Sequence, residues 1–161
     1  MNERTAVGRH SQNPFRDPAR CPQWAELTRL AGDRAAILFE YLRAQVGSID
    51  GLIEDLHYAG PEGGWTPRYR LGGTTLFIAH VLPGVLEASL ELDAAACQKL
   101  LASPGTGAAL KAAIRQAYRD GEPATVRMPL STHADIRAFA KAVRRKGRIV
   151  AQPSSRHTRG H

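Results

Sequence analysis

Alternating apolar and polar side chains run through the middle of the chain and predict short β-strands. The segment 74–82 is apolar on both faces, which is typical of a central strand covered on two sides. Gly72-Gly73 precedes this segment and suits a tight turn in which both positions have positive φ, and Pro83-Gly84 turns the chain again after it. An antiparallel meander is the simplest arrangement of such segments, with Pro129 at a strand end or an edge. We predict strands at 52–58, 65–71, 74–82, 85–92 and 124–130.

Apolar residues at helical spacing lie before and after these strands. Pro22 suits the first position of a helix that Gly32 would end. Thr132–Asp135 resembles a capping box with Asp in place of the usual Glu, and the helix that it opens is expected to end at Gly147. We predict helices at 22–31, 34–46, 94–102, 107–120 and 133–146, with Asp33, Asp93 and Thr106 as candidate N-caps.

These elements predict one α+β domain at 21–151. We expect an antiparallel sheet of four to five strands with helices packed on one face. Residues 1–20 and 152–161 lack apolar periodicity and are rich in polar residues and Arg, so we expect them to form flexible tails. A chain of 161 residues is long enough to bury a core without disulfides or metals.

The positive charge is concentrated at the ends of the chain. The formal net charge is +7, and residues 141–161 contain seven Lys and Arg residues and no acid. Residues 1–20 contribute +2, so the intervening segment 21–140 sums to −2. The high isoelectric point therefore describes the ends and does not by itself predict a basic binding face.

Cysteine content and hydropathy favour an intracellular setting. Cys21 and Cys97 are too few for a disulfide framework. The first residues contain no apolar run typical of a secretory leader, and no segment is long and apolar enough to predict a membrane span. We expect a cytoplasmic protein without a membrane partner.

Two stretches resemble a known family. The first is GGWTPRYRLGGTTLFIAHVLPG and the second is AYRDGEPATVRMPLSTHADIRAFAKAV. From about residue 24 to 150 the chain resembles the bacterial domain-of-unknown-function family 3788, although the Lys/Arg-rich closing segment departs from the family pattern. The resemblance implies a compact α+β domain with an antiparallel sheet and implies no activity. It rests on Gly64-Trp65, Arg68, Tyr69, Pro83, Gly121 and Asp135.

The residues that could carry chemistry form no recognisable catalytic or metal motif. The six histidines are scattered, and none has the spacing of a zinc site, so no metal or other cofactor is predicted. Ser131-Thr132-His133 contains a hydroxyl and an imidazole, but these positions suit a helix cap better than a nucleophile and its base. The sequence therefore favours a non-enzymatic accessory domain over an enzyme.

A small ligand or a protein is the expected partner. Trp65, Arg68, Tyr69 and His80 are the candidate lining residues, because aromatic walls with a few placed charges are typical of ligand pockets. The alternative is structural: the aromatic rings would lie in the core, and the strand arginines would pair with carboxylates across the sheet.

Weak binding of nucleic acid is the alternative function. Arg144, Arg145, Lys146 and Arg148 form a basic helix end that could contact phosphates. The same residues could instead compensate the dipole at the end of the helix.

Overall fold

One five-stranded antiparallel sheet organises the protein. The computed structural model describes residues 13–119 and 121–151. The strands follow chain order across the sheet, from β1 to β5, and every neighbouring pair is antiparallel. The predicted meander and the α+β class are therefore confirmed. The strands are β1 (Leu52–Tyr58), β2 (Trp65–Leu71), β3 (Thr74–Leu82), β4 (Val85–Leu92) and β5 (Ala124–Pro129).

Six helices complete the described part of the chain. Their bounds are α1 (Trp24–Ala31), α2 (Asp33–Val46), α3 (Gly60–Gly63), α4 (Ala94–Ala102), α5 (Ala108–Ala117) and α6 (His133–Ala151). Helix α3 is a single turn in the loop between β1 and β2, and α4 and α5 together connect β4 to β5. No helix within residues 13–119 and 121–151 combines the length and apolarity needed to cross a bilayer.

The core cluster packs against the sheet. Along β4, Leu86, Ala88, Leu90 and Leu92 are buried, and the intervening side chains are half-buried or exposed. The same core cluster contains side chains from α1, α2, α4, α5 and α6. This cluster supports the expected packing of helices on one face, which stays a prediction for the sheet as a whole.

Helix caps agree with the sequence at two positions and differ at two others. The Ala96 N–H donates to Asp93 Oδ1 over 2.8 Å, and the Asp135 N–H donates to Thr132 Oγ1 over 3.1 Å. These bonds confirm both predicted caps. Asp33 is instead the first residue of α2, and Gly107 rather than Thr106 precedes α5.

Helix α6 passes through Gly147 and is helical up to Ala151, the last residue described, so the predicted end at Gly147 is wrong. A Cβ built on Gly147 would lie 3.7–3.9 Å from side-chain atoms of Leu76, Leu71 and Ile49. These are ordinary van der Waals distances, so the helix continues through the glycine in close contact with the sheet, and the low helix propensity of glycine is not enough to end it there.

The turn between β2 and β3 also differs in detail from the prediction. Gly72 has φ 61°, whereas Gly73 is outside the left-handed region. The expected turn with positive φ at both positions is therefore wrong, although a two-residue hairpin connects the strands as predicted. A register irregularity follows this turn, because Arg70 pairs with Thr75 while Tyr69 pairs with Phe77. Leu76 is thus the extra residue of a β-bulge.

The segment from residue 13 to residue 20 packs on the β1–β2 end of the sheet. Asn13 is 6% exposed, and its amide nitrogen donates to the carbonyls of Gly63 (2.9 Å) and Trp65 (2.7 Å). The Trp65 N–H donates to the Phe15 carbonyl over 2.8 Å. The folded region therefore begins before the predicted boundary at 21. The predicted flexible tails at 1–12 and 152–161 lie outside the described residues.

Candidate functional site

The structure does not bring the four predicted lining residues to one site. Tyr69 points to the core face of β2 and is 1% exposed. Arg68 precedes it in the strand and therefore points to the opposite face. His80 pairs with Glu87, and Ala79 beside it is in the core, so His80 shares the face of Arg68. No single ligand can contact all these side chains from one side of the sheet.

Tyr69 and Trp65 are fixed by protein contacts. The Tyr69 ring stacks on Phe77 with centroids 4.4 Å apart, and its hydroxyl donates to Glu54 Oε2 over 2.6 Å. Burial raises the pKa of Tyr69, with Glu54 adding to the effect, so the hydroxyl remains a donor. The Trp65 indole N–H donates to the Asp17 carbonyl over 2.8 Å. Tyr69 follows the structural alternative, whereas Trp65 is half-buried and lies outside the core cluster.

Arg68 and His80 also have partners within the protein. Arg68 forms two hydrogen bonds to Asp55, of 3.1 Å and 3.0 Å, and it holds the pKa of Asp55 below the ordinary value. His80 Nε2 lies 2.7 Å from Ser89 Oγ. Burial lowers the pKa of His80 to about 4, with a further contribution from Arg127. His80 is therefore a neutral imidazole near pH 7.

The basic side chains near the end of α6 point in different directions. Lys146 is 5% exposed and donates to two carbonyls of β3, and an Arg144 guanidinium nitrogen donates to the Gln45 carbonyl over 3.0 Å. Arg145 and Arg148 lie instead beside α4. The four residues predicted to contact phosphates therefore do not form one surface, because Lys146 is turned into the protein.

Arg145 and Arg148 line a groove between α4 and α6, termed here the basic groove. It has a volume of about 480 Å³. Its charged side chains are Lys99 on α4 and the two arginines on α6. Its other lining residues are Ala102, Ser103, Pro104 and Ile149. The groove thus has cationic walls and a partly apolar floor, a combination common in sites for small ligands.

A fourth cation lies beside the groove. A Cβ built on Gly105 would lie 4.0 Å from Lys141 Nζ and 3.8 Å from Ser103 Oγ, so the ammonium group is close to the turn that follows α4. Lys141, Arg145 and Arg148 occur at i, i+4 and i+7 of α6, which places them along one face of the helix. Helix α6 therefore presents a cationic stripe to α4.

These cations have no carboxylate partner in the part of the chain that the structure describes. Ion pairs there hold Arg43, Arg68 and Arg127, among others, but none of the four groove cations. No acidic residue among residues 13–119 and 121–151 lines the groove. Like charges held together without a counter-charge repel, and a bound anion relieves this repulsion.

The Ser103 hydroxyl gives an independent sign of a missing partner. Ser103 lines the groove and is 4% exposed, and its Oγ has no hydrogen-bond partner among the described residues. An unsatisfied buried hydroxyl costs about 1–3 kcal/mol. A ligand oxygen or a bound water in the groove would remove this cost.

Compensation of helix dipoles accounts for part of the arrangement. Lys99 and Arg148 lie in the last turns of α4 and α6, where cations are favoured. The dipole effect falls off within one turn, so it does not account for Lys141 and Arg145, which lie further from the end of α6. It also does not account for the Ser103 hydroxyl.

Sequence reasoning identified only Arg145 and Arg148 of this groove. The signal that could have found Lys141 was its spacing of four and seven residues from those arginines. Lys99 and Ser103 could not be assigned, because only the packing of α4 on α6 brings them close.

Comparisons with family models, with curated proteins and with solved structures find no match to this chain. The resemblance to family 3788 stays a prediction. Among the described residues, no group of three or more His, Cys, Asp and Glu side chains could hold a metal ion.

Proposed function

We propose that this protein is a binding domain that holds a small anionic ligand, bearing phosphate or carboxylate groups, in the basic groove. The observation that carries this proposal is that four cations from two helices lie in or beside the groove, while no acidic side chain is among the described lining residues. Arg and Lys bind such anions through charge-assisted hydrogen bonds.

The groove suits a compact ligand better than a long polymer. Arg145 and Arg148 present guanidinium forks for the oxygens of a phosphate or carboxylate, and Lys99 faces them from α4. Ser103 offers a hydroxyl that can donate to the ligand or accept from it. The apolar floor, which includes Ile149, provides surface for the rest of the molecule.

A thermal-shift screen of metabolites tests the proposal. The panel contains inorganic phosphate, sugar phosphates, nucleotides and di- and tricarboxylates, with matched neutral compounds beside them. Saturation at 100 times the Kd stabilises a protein by about 2.7 kcal/mol. For a domain of this size that corresponds to a rise in Tm of roughly 5 °C or more. The proposal predicts such a shift for some anions and for none of their neutral analogues.

Matched variants locate the site. Arg145→Gln and Arg148→Gln each remove one guanidinium from the groove and are expected to weaken binding of the active anion at least tenfold by titration calorimetry. Arg115→Gln is the control, because Arg115 is an exposed cation on α5 and does not line the groove. The proposal is wrong if no anion shifts the Tm, or if Arg115→Gln weakens binding as much as the groove variants.

Weak nucleic-acid binding through the basic helix end stays the alternative prediction. It has less structural support, because Arg144 and Lys146 donate to backbone carbonyls. A labelled oligonucleotide in the same screen separates the two functions. Retention that falls steeply with salt and persists in the presence of saturating small anion would favour the nucleic-acid function.

A further inference from the structure

Lys146 occupies an unusual position on the side of α6 that faces the sheet. Its Nζ donates to the Thr75 carbonyl over 2.9 Å and to the Leu76 carbonyl over 2.8 Å. Leu76 is the extra residue of the β-bulge in β3. The bulge interrupts the ladder between β2 and β3, and the amine binds the carbonyls at that point.

A neutral amine can make both hydrogen bonds of Lys146. An ammonium group has three N–H donors, whereas a neutral amine has two donors and one lone pair. Two acceptors contact Nζ, and no carboxylate lies within ion-pair distance of it in the described structure. The neutral form uses both N–H groups and keeps its lone pair free.

A pocket of about 420 Å³ is lined in part by Lys146 and is termed the lysine pocket. Its polar lining includes Thr74 and Thr75 from β3, with Glu91 at the end of β4 and Asp93 at the start of α4. Glu91 and Asp93 are the only titratable groups beside Lys146 that line it among the described residues. The pocket shares Ile149 but no charged residue with the basic groove, so the proposal for this amine does not rest on the proposed anion binding.

The electrostatic environment raises the neutral fraction of the amine above that of an ordinary lysine. Burial lowers the pKa of Lys146 to about 8, and the carboxylates of Glu91 and Asp93 oppose part of that effect. An ordinary lysine has a pKa near 10.4, so less than about 1% of it is neutral at pH 8. Roughly half of Lys146 is neutral at that pH, when its pKa is about 8.

We propose that Lys146 is a nucleophilic amine that forms an imine with a small aldehyde or ketone bound in the lysine pocket. The observations that support this chemistry are the two carbonyls that hold its amine and the pocket that its side chain lines. Lysines desolvated in this way serve as amine nucleophiles towards carbonyl compounds.

The reaction balances without an oxidant or a reductant. The Nζ lone pair attacks the carbonyl carbon, a C–N bond forms, and one N–H proton moves to the oxygen to give a carbinolamine. The C–O bond then breaks, and the oxygen leaves as water with the second N–H proton. Protonation of the imine from solvent gives an iminium ion with one N–H, which can donate to the Thr75 or Leu76 carbonyl. Glu91 and Asp93 would stabilise its positive charge.

Reductive trapping tests the proposal on the full chain. The protein is incubated at pH 7.5 with acetaldehyde and cyanoborohydride, and peptide mapping by mass spectrometry gives the extent of alkylation at each lysine. The chain contains four lysines, and Lys99, Lys111 and Lys141 serve as internal references. We expect initial labelling of Lys146 to be at least tenfold faster than that of any reference.

Unfolding supplies a control that depends on no variant. In denaturing urea all four lysines should be labelled at similar rates, because the pocket and its desolvation are lost. A purely structural Lys146, buried to cap two carbonyls, would be the slowest of the four in the folded protein. Labelling of Lys146 at or below the reference rates would overturn the proposal.

Discussion

Replacing Tyr69 by Phe separates a structural role from a ligand-binding role. The change removes one oxygen and keeps the ring that stacks on Phe77. The lost oxygen is the donor to Glu54, at 2.6 Å, and Glu54 also accepts from Arg43 at 2.9 Å and 2.8 Å. The hydroxyl therefore belongs to a continuous network at the edge of the core.

The expected cost depends on the kind of bond that is lost. Hydrogen bonds to charged groups contribute roughly 1.5–3 kcal/mol, whereas a neutral pair contributes roughly 0.5–1.5 kcal/mol. Arg43 continues to donate to the Glu54 carboxylate after the change. The expected loss in the free energy of unfolding for Tyr69→Phe is therefore at the lower end of the range for charged groups, about 1.5–2 kcal/mol.

Urea unfolding gives the free energy directly, with an unchanged m-value as the sign that the folded state is otherwise the same. Tyr58→Phe is the matched control, because the Tyr58 hydroxyl donates to the Arg16 carbonyl over 2.8 Å at an exposed position. It should cost about 0.5 kcal/mol or less, since exposed groups exchange this bond for water. Equal losses for the two variants would refute the assignment of the Tyr69 hydroxyl to a partly buried charged network.

Two further predictions concern pH and backbone conformation. The folded protein holds the pKa of His80 at about 4, and an unfolded histidine titrates near 6.5, so the unfolded chain takes up the proton first as the pH falls. Between pH 7 and pH 4 the free energy of unfolding should therefore drop by about 3 kcal/mol more in the wild type than in His80→Gln. An equal drop in the two proteins, measured by urea unfolding at each pH, would contradict this. Gly64→Ala should destabilise the protein by about 2 kcal/mol more than Gly72→Ala, because both glycines have positive φ but only at Gly64 would a Cβ collide with the Phe15 carbonyl. Equal unfolding free energies for these two variants would show that the 13–20 segment does not pack as described.

The sheet could be predicted because its signals are local. Alternation along 65–92 and the glycines and prolines between the strands determine which segments pair, and both operate over a few residues. The observed strand bounds agree with the predicted ones within one residue, and Asp93 and Thr132 cap helices as expected.

The environment of α6 could not be predicted because long-range packing determines it. Gly147 and Lys146 look like the end of a helix and a solvated cation when the sequence is considered alone. In the fold, the glycine lies against Leu71 and Leu76, and the lysine donates to carbonyls exposed by a β-bulge. A bulge is a property of paired strands, and no local pattern in 74–82 indicates it.

The candidate site was only partly predictable for a related reason. Arg145 and Arg148 were identified as cations that could contact phosphates, but Lys99 is more than forty positions earlier in the chain, and Ser103 has no distinguishing sequence context. Trp65 and Tyr69 are candidates both for a ligand site and for the core, because aromatic residues occur in both, and the sequence does not separate the two uses.

The chain-order sheet has a consequence for how the protein folds. Each of β2, β3 and β4 comes after its partner across a short loop, so the entropy lost on closing these loops is small and pairing can proceed as the chain emerges during synthesis. Strand β5 differs, because helices α4 and α5 separate it from β4 in the chain. It can pair with β4 only after both helices have been synthesised. The slow step of folding should therefore be the docking of the C-terminal half, and the basic groove and the lysine pocket form only with that docking.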